Sequence, residues 1–298
     1  MIKLAVPFLL SEPKQIPNSI KGKDFFLEGI VFDANLFIED TYWEKIENSI
    51  IFLSKKFPNQ LYSLHFPVNN ADYLTSPKVK EYLYKFIDLA FKHNISVIVL
   101  HSNSIELLET FNIKSLAKKR ARYLAFFKKL DLYLLNKKLK ICIENMPIVG
   151  NSGEDVDCIF VLPKDFKKLN FNNIKITWDI GHWAYTWSVL KSLTAISPYI
   201  KTTKVQFNEF LKLRRNLAHF QFSSFRTIAL PGTNSVCVEG VVPMQGDIDE
   251  KLLQNVLHVI YSWKEQYVMS LEIQDEDYAH RVNLLKTINW IENVIFHY

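Results

Sequence analysis

Short apolar runs alternate with longer amphipathic stretches along the 298 residues. The runs occupy residues 2–9, 27–33, 61–66, 95–101, 139–147, 174–180, 216–223 and 268–273. Each is rich in Val, Ile, Leu and Phe and bounded by polar segments, the pattern of a strand buried on both faces. Between them the 3.6-residue period predicts helices over 42–56, from Ser76-Pro77 onward, 114–137, 186–195, 206–214, 249–265 and 278–296, with a shorter one at 162–169. In the second helix Val79, Tyr82, Leu83, Phe86, Ile87, Ala90 and Phe91 share one face. In the third, Leu116, Ala117, Ala121, Leu124 and Leu130 point inward and the lysines outward. Residues 224–249, with Pro231-Gly232 and Gly246, read as loop with at most short strands.

What terminates the runs narrows the architecture. LKICIENMP ends in Glu144 and Asn145, and Pro147 prevents continuation. LYSLHFP ends in His65, VIVLHSN in His101, and ITWDIGH in Asp179 and His182. LAHFQFS carries His219 and Gln221, and VMSLEI closes on Glu272. A charge at the exit of a buried strand is costly unless paired. Six such strand ends meet at one face only if the strands are parallel and closed into a ring. Eight strand–helix units without a Gly-rich nucleotide turn favour a (β/α)8 TIM barrel over a doubly wound sheet. No linker or low-complexity tract divides the chain, so one domain over 1–298 is expected.

Composition changes this picture little. Hydrophobic residues at 48% and aromatics at 14% exclude a disordered chain. The net charge of +5 is scattered except around Lys118-Lys119-Arg120, Arg122, Lys128-Lys129 and Lys137-Lys138. Those clusters read as the solvated face of an outer helix, and nucleic acid is not an expected partner. Cys142, Cys158 and Cys237 lack metal-type spacing and suit the reduced thiols of a cytoplasmic protein. The apolar run after Lys3 is too short for a signal peptide, and no stretch reaches membrane-spanning length. Glu144, Asp179 and Glu272 together would repel without a cation, and oxygen plus imidazole ligands suit Mn, Zn or Mg.

These motifs carry a resemblance. LHFPVNNADYL, VIVLHSN, ICIENMP, WDIGHW, HFQFSS, PMQGDID and LEI, spanning nearly the whole chain, resemble the xylose-isomerase-like barrel superfamily. That group includes sugar and sugar-phosphate isomerases and epimerases, and the endonuclease IV group of abasic-site nucleases. The resemblance implies metal ligands at Glu144, Asp179 and Glu272. The family's strand-seven histidine falls at Gln221, with His219 two residues earlier on the same face. Either completes the metal set, and strand depth favours Gln221. His65 and His101 match extra histidines of multi-zinc members, or bind substrate hydroxyls as in single-metal epimerases, the reading preferred. His182 matches a ligand of the nuclease group's third zinc. The histidine of that third site is missing, because Glu239-Gly240-Val241 stands where D-x-H is usual.

The resemblance implies a metal-dependent isomerase or epimerase of a sugar, sugar phosphate or polyol, with Glu144 and Glu272 as acid and base around a metal-held enediolate. His65, His101, His182 and Trp183 would bind the carbohydrate. Trp183, Trp187, Phe66 and Phe220 offer an apolar wall, with barrel packing the expected role for at least half of them. Arg226 and Lys164 read as exposed loop charge sooner than as phosphate contacts. A homo-oligomer is compatible with this pattern. The alternatives are an endonuclease IV-like phosphodiester hydrolase, or a barrel with weakened chemistry in a binding role.

Overall fold

The computed structural model describes residues 2–20, 24–196 and 207–296. Eight parallel strands close a barrel: β1 (Ile2–Leu9), β2 (Phe26–Ile30), β3 (Leu61–His65), β4 (Val97–Leu100), β5 (Lys140–Glu144), β6 (Ile174–Asp179), β7 (Leu217–Phe222) and β8 (Tyr267–Leu271). Each pairs with the next in sequence, and β8 pairs with β1 in the register Ile2↔Tyr267 through Ala5↔Ser270. Around them lie α1 (Asp40–Lys56), α2 (Pro77–Lys92), α3 (Ile113–Tyr133), α4 (Ile180–Ile196), α5 (Phe207–Leu211), α6 (Glu250–Tyr261) and α7 (Val282–Phe296). All eight expected strands are present, each within a few residues of its predicted span.

The helices depart further from expectation. A 3-10 turn at Pro163–Phe166 replaces the short helix predicted at 162–169, and the described residues of the β1–β2 connection form 3-10 turns at Pro13–Gln15 and Asn18–Ile20. Helix α4 starts directly at the end of β6, six residues before its predicted start. The predicted start of α5, residue 206, lies outside the described residues. Ser76 caps α2, accepting from the Val79 amide, and Pro77 fills its first position. Phe91 of that helix stays exposed. In α3 the buried face is Tyr123, Phe126, Phe127 and Leu130, while Ala121 is exposed. The larger aromatic area decides which side turns inward. Two antiparallel ribbons decorate the barrel, Ser224–Arg226 with Val238–Val241 and Glu106–Leu107 with Asp155–Val156.

Strand alternation divides the interior into two media. Outward-facing Leu64, Ile98, Ile143, Trp178, Phe220 and Met269 join the large apolar layer under the helices. Inward-facing Val97, Val99 and Cys142 form a small separate cluster. Polar side chains share the barrel interior with them, and Glu28, Ser63, Thr177, His219 and Ser270 are all buried there. Among the described residues, no helix is long and apolar enough to cross a membrane.

Candidate active site and metal centre

A cavity of about 750 Å³ opens at the C-terminal ends of the strands, and His65, His101, Glu144, His182, Glu239 and Glu272 line it. Glu144, the last residue of β5, is its centre. The Nε2 atoms of His65 and His101 lie 3.3 and 3.0 Å from Glu144 Oε2. On the other oxygen, His182 Nδ1 lies 3.0 Å from Oε1 but also 3.1 Å from the Asn145 carbonyl, which can only accept. Glu144 Oε1 is consequently buried without a hydrogen-bond donor. His65 Nδ1 likewise donates to the Phe66 carbonyl at 2.7 Å, which fixes the ring and leaves Nε2 facing the carboxylate. Backbone anchoring of one ring nitrogen is what a ligating imidazole needs.

The start of α4 builds the second wall. Asp179 Oδ1 accepts from the His182 backbone N–H at 2.6 Å, so the last residue of β6 caps the helix that follows without a loop. Gly181 is required there, because a Cβ would sit 2.8 Å from Ser223 Oγ and 3.2 Å from Asp179 Oδ1. Asn145 locks the two strand ends together, accepting from the Asp179 N–H at 2.8 Å and donating to its carbonyl at 2.9 Å. The result is two candidate chelating groups that share one residue, His65–His101–Glu144 and Glu144–Asp179–His182. Within each, the ligand atoms lie within 4.8 Å of one another. His65 and His101, read from sequence as substrate contacts, thus form with Glu144 the two-imidazole, one-carboxylate set that catalytic zinc sites use.

The electrostatics point the same way. Burial alone would raise the Glu144 carboxyl, but His101, His182 and His65 hold it well below the ordinary carboxylate range. Burial pushes Asp179 up to about 6, with the charges of Glu144 and Glu239 adding to it against His182. Glu272 rises well above its usual value through burial and the neighbouring charges of Glu144 and Asp179. Burial opposes a charge on His65, yet Glu144 and Glu272 raise it to about 9. Protons on these groups offset the crowded carboxylates, and a divalent cation does the same. The unpartnered Glu144 Oε1 and Gln221 Oε1 are further oxygens such a cation would use, so the donor set fits.

The two strand-seven candidates occupy different depths. Gln221 pairs in register with Asp179 and donates to Glu272 Oε1 at 2.6 Å, which leaves its own oxygen unpartnered. His219 pairs with Thr177 one layer below, and its Nε2 lies 3.2 Å from Glu28 Oε2. Ser63 donates to the same Glu28 oxygen at 2.6 Å. Burial would raise Glu28, but His219 and then His65 bring it below its ordinary value.

The aromatic expectations are corrected. Trp183 is buried edge-on against Trp178 and also packs on Trp187, while Phe66 packs on Phe86 and Phe220 on Tyr267. None of these lines the cavity. Phe66 and Phe220 directly adjoin inward-facing histidines in their strands, so alternation sends them outward. Arg226 and Lys164 do not line it either. Three polar participants went unread: Glu28, Glu239, whose Oε1 lies 3.6 Å from His182 Nε2, and Arg281. An acid inside an apolar run was a signal for Glu28, as it was for Glu144.

No family profile matches the sequence, and no curated protein matches it. Solved structures do. An IOLI protein with a bound zinc atom aligns at TM-score 0.62 and 12% identity over 99% of each chain. 3-Keto-D-glucoside 4-epimerase from E. coli aligns at 0.60 and 13%, covering 98% of this chain and all of the other. D-Psicose 3-epimerase with D-tagatose, from Clostridium cellulolyticum H10, aligns at 0.59 and 13% over 98% and 99% of the two chains. Shared topology at such low identity establishes architecture: this chain has the (β/α)8 fold of the xylose-isomerase-like barrels.

Proposed function

We propose that the protein is a divalent-metal-dependent isomerase or epimerase of a sugar or polyol. The observation that carries this reading is the sharing of Glu144 between two chelating groups at the base of a cavity at the strand ends. The epimerases among the structural neighbours support it. A bound cation would supply a Lewis acid across adjacent substrate oxygens. Glu144, kept ionised by its imidazoles, is positioned to take a proton from the carbon beside a carbonyl. Glu272, whose carboxyl burial and the charges of Glu144 and Asp179 push up, would return one. Asp179 and Gln221 complete the metal's surroundings, and His182 and Glu239 extend the polar wall toward the substrate. A phosphodiester hydrolase is less well supported, since Arg281 is the one Lys or Arg among the described residues that line the cavity.

Metal-loaded protein incubated with ketohexoses in deuterium oxide tests the reading by NMR. Deuterium should enter carbon next to the carbonyl, stop on chelation, and slow at least ~100-fold in Glu144→Gln. A chain that holds no divalent ion, or a Glu144→Gln variant exchanging at the original rate, would refute it.

A further inference from the structure

We propose that the substrate of this cavity is an uncharged sugar that carries both the carbonyl the reaction needs and an apolar substituent, as a keto-glycoside does, in preference to an unsubstituted or phosphorylated sugar. The inference rests on reading the cavity as a carbohydrate site. Three features of its wall carry it.

The first is charge. Arg281 is already engaged: Nε donates to Asp275 Oδ2 at 3.0 Å, Nη1 to the Pro7 carbonyl at 2.8 Å and Nη2 to the Ile273 carbonyl at 3.2 Å. Asp155 and Glu239 add negative charge to the wall. The charge of a divalent ion would be spent on Glu144 and Asp179. Among the described residues that line the cavity, a phosphate ester entering here would face carboxylates with no uncommitted Lys or Arg. Amide side chains of Asn69, Asn151 and Gln274 line the same wall, and an amide both donates to and accepts from a hydroxyl.

The second is the lip. Phe32, Ile105 and Tyr278 line the cavity and are nevertheless 52%, 55% and 39% exposed. They come from the connections after β2, β4 and β8, so they lie around the mouth. A ligand with hydroxyls alone would leave these apolar surfaces in water.

The third is volume. About 750 Å³ lies in the upper part of the ~300–1,000 Å³ range that encloses a drug-sized ligand, and a bare hexose has only roughly a dozen heavy atoms. The polar base and the apolar lip thus fit the two halves of one amphipathic molecule.

Calorimetry on the metal-loaded full chain, with phenyl β-D-glucopyranoside, D-glucose and D-glucose 6-phosphate as probes, tests this. The phenyl glycoside should bind at least ~10-fold tighter than glucose, and the phosphate no tighter than glucose. In Phe32→Ser/Ile105→Ser the glycoside-to-glucose ratio should fall below ~3-fold. Tighter binding of the phosphate, equal binding of the two neutral probes, or no binding of any probe would overturn the proposal. So would a double variant that keeps the ratio while a dimer falls apart in sedimentation, since the lip would then serve a second copy of the chain. Deuterium exchange in ketohexoses without any glycoside preference sinks this inference alone. A preserved preference without metal-dependent exchange sinks the isomerase reading alone.

Discussion

Removing the His219 imidazole should destabilise the barrel and leave the metal centre intact. In His219→Ala the buried Glu28 carboxylate loses the ring 3.2 Å away and keeps the Ser63 hydroxyl and the more distant charge of His65. Its other oxygen already has no hydrogen-bond partner. Removing a polar neighbour from a buried carboxylate leaves that group less satisfied, a loss of ~1–3 kcal/mol. In Glu28→Gln/His219→Ala that charge is gone, and what remains is mainly the cavity left by the ring. The double variant should therefore recover ~1–3 kcal/mol relative to the sum of the single changes. Urea unfolding of all four proteins, stripped of metal, reads this coupling directly. Zinc titration of the same set reads the second half of the claim: His219→Ala should bind within ~3-fold of the original chain, since its ring lies a layer below the Asp179–Gln221 level. Coupling under ~0.5 kcal/mol would show that the pair is not a unit. A zinc affinity lowered by a factor of ten would show that His219, and not Gln221, completes the metal set.

Three further outcomes are expected. Gln221→His puts an imidazole beside Glu272 and should tighten zinc at least ~10-fold; an unchanged dissociation constant would remove Gln221 from the metal's surroundings. His65 is raised to about 9 without metal, so it is protonated at neutral pH and must release that proton to ligate. Zinc affinity should then climb by up to ~10-fold per pH unit from 7 toward 9 and flatten above, and a flat profile over that interval would contradict the ligand role. Arg281→Lys keeps the charge but cannot span Asp275, the Pro7 carbonyl and the Ile273 carbonyl. Two buried carbonyls would be left unpaired, and urea unfolding should show a loss of ~2–4 kcal/mol, a loss under ~0.5 kcal/mol counting against the clasp.

The barrel was readable because its outer layer is written in long apolar runs, and runs survive small errors of boundary. The first turn of α4 was not readable, because Asp179 serves both as the end of a strand and as the cap of a helix. A strand passing straight into a helix leaves no turn residues to mark the junction. The two-residue strands Glu106–Leu107 and Asp155–Val156 are too short to carry a period at all. In the site, Glu144, His65, His101, Asp179 and His182 were legible as charges at strand ends. Their partition into two chelating groups was not, since it depends on side-chain direction across three elements. Trp183, Phe66 and Phe220 were assigned by chemical type, where strand parity and helix packing govern. Glu28 shows the converse: its position inside LEGIVFD was visible, but a charge in mid-strand drew less notice than one at an end.

The common membership of Glu144 in both chelating groups has an evolutionary consequence. Peripheral ligands of such a centre can be exchanged one at a time, because each loss leaves the other group whole. Glutamine at 221, beside the glutamate it hydrogen-bonds, is compatible with one such exchange already made. Position 144 has no such route, since any replacement dismantles both groups in a single step.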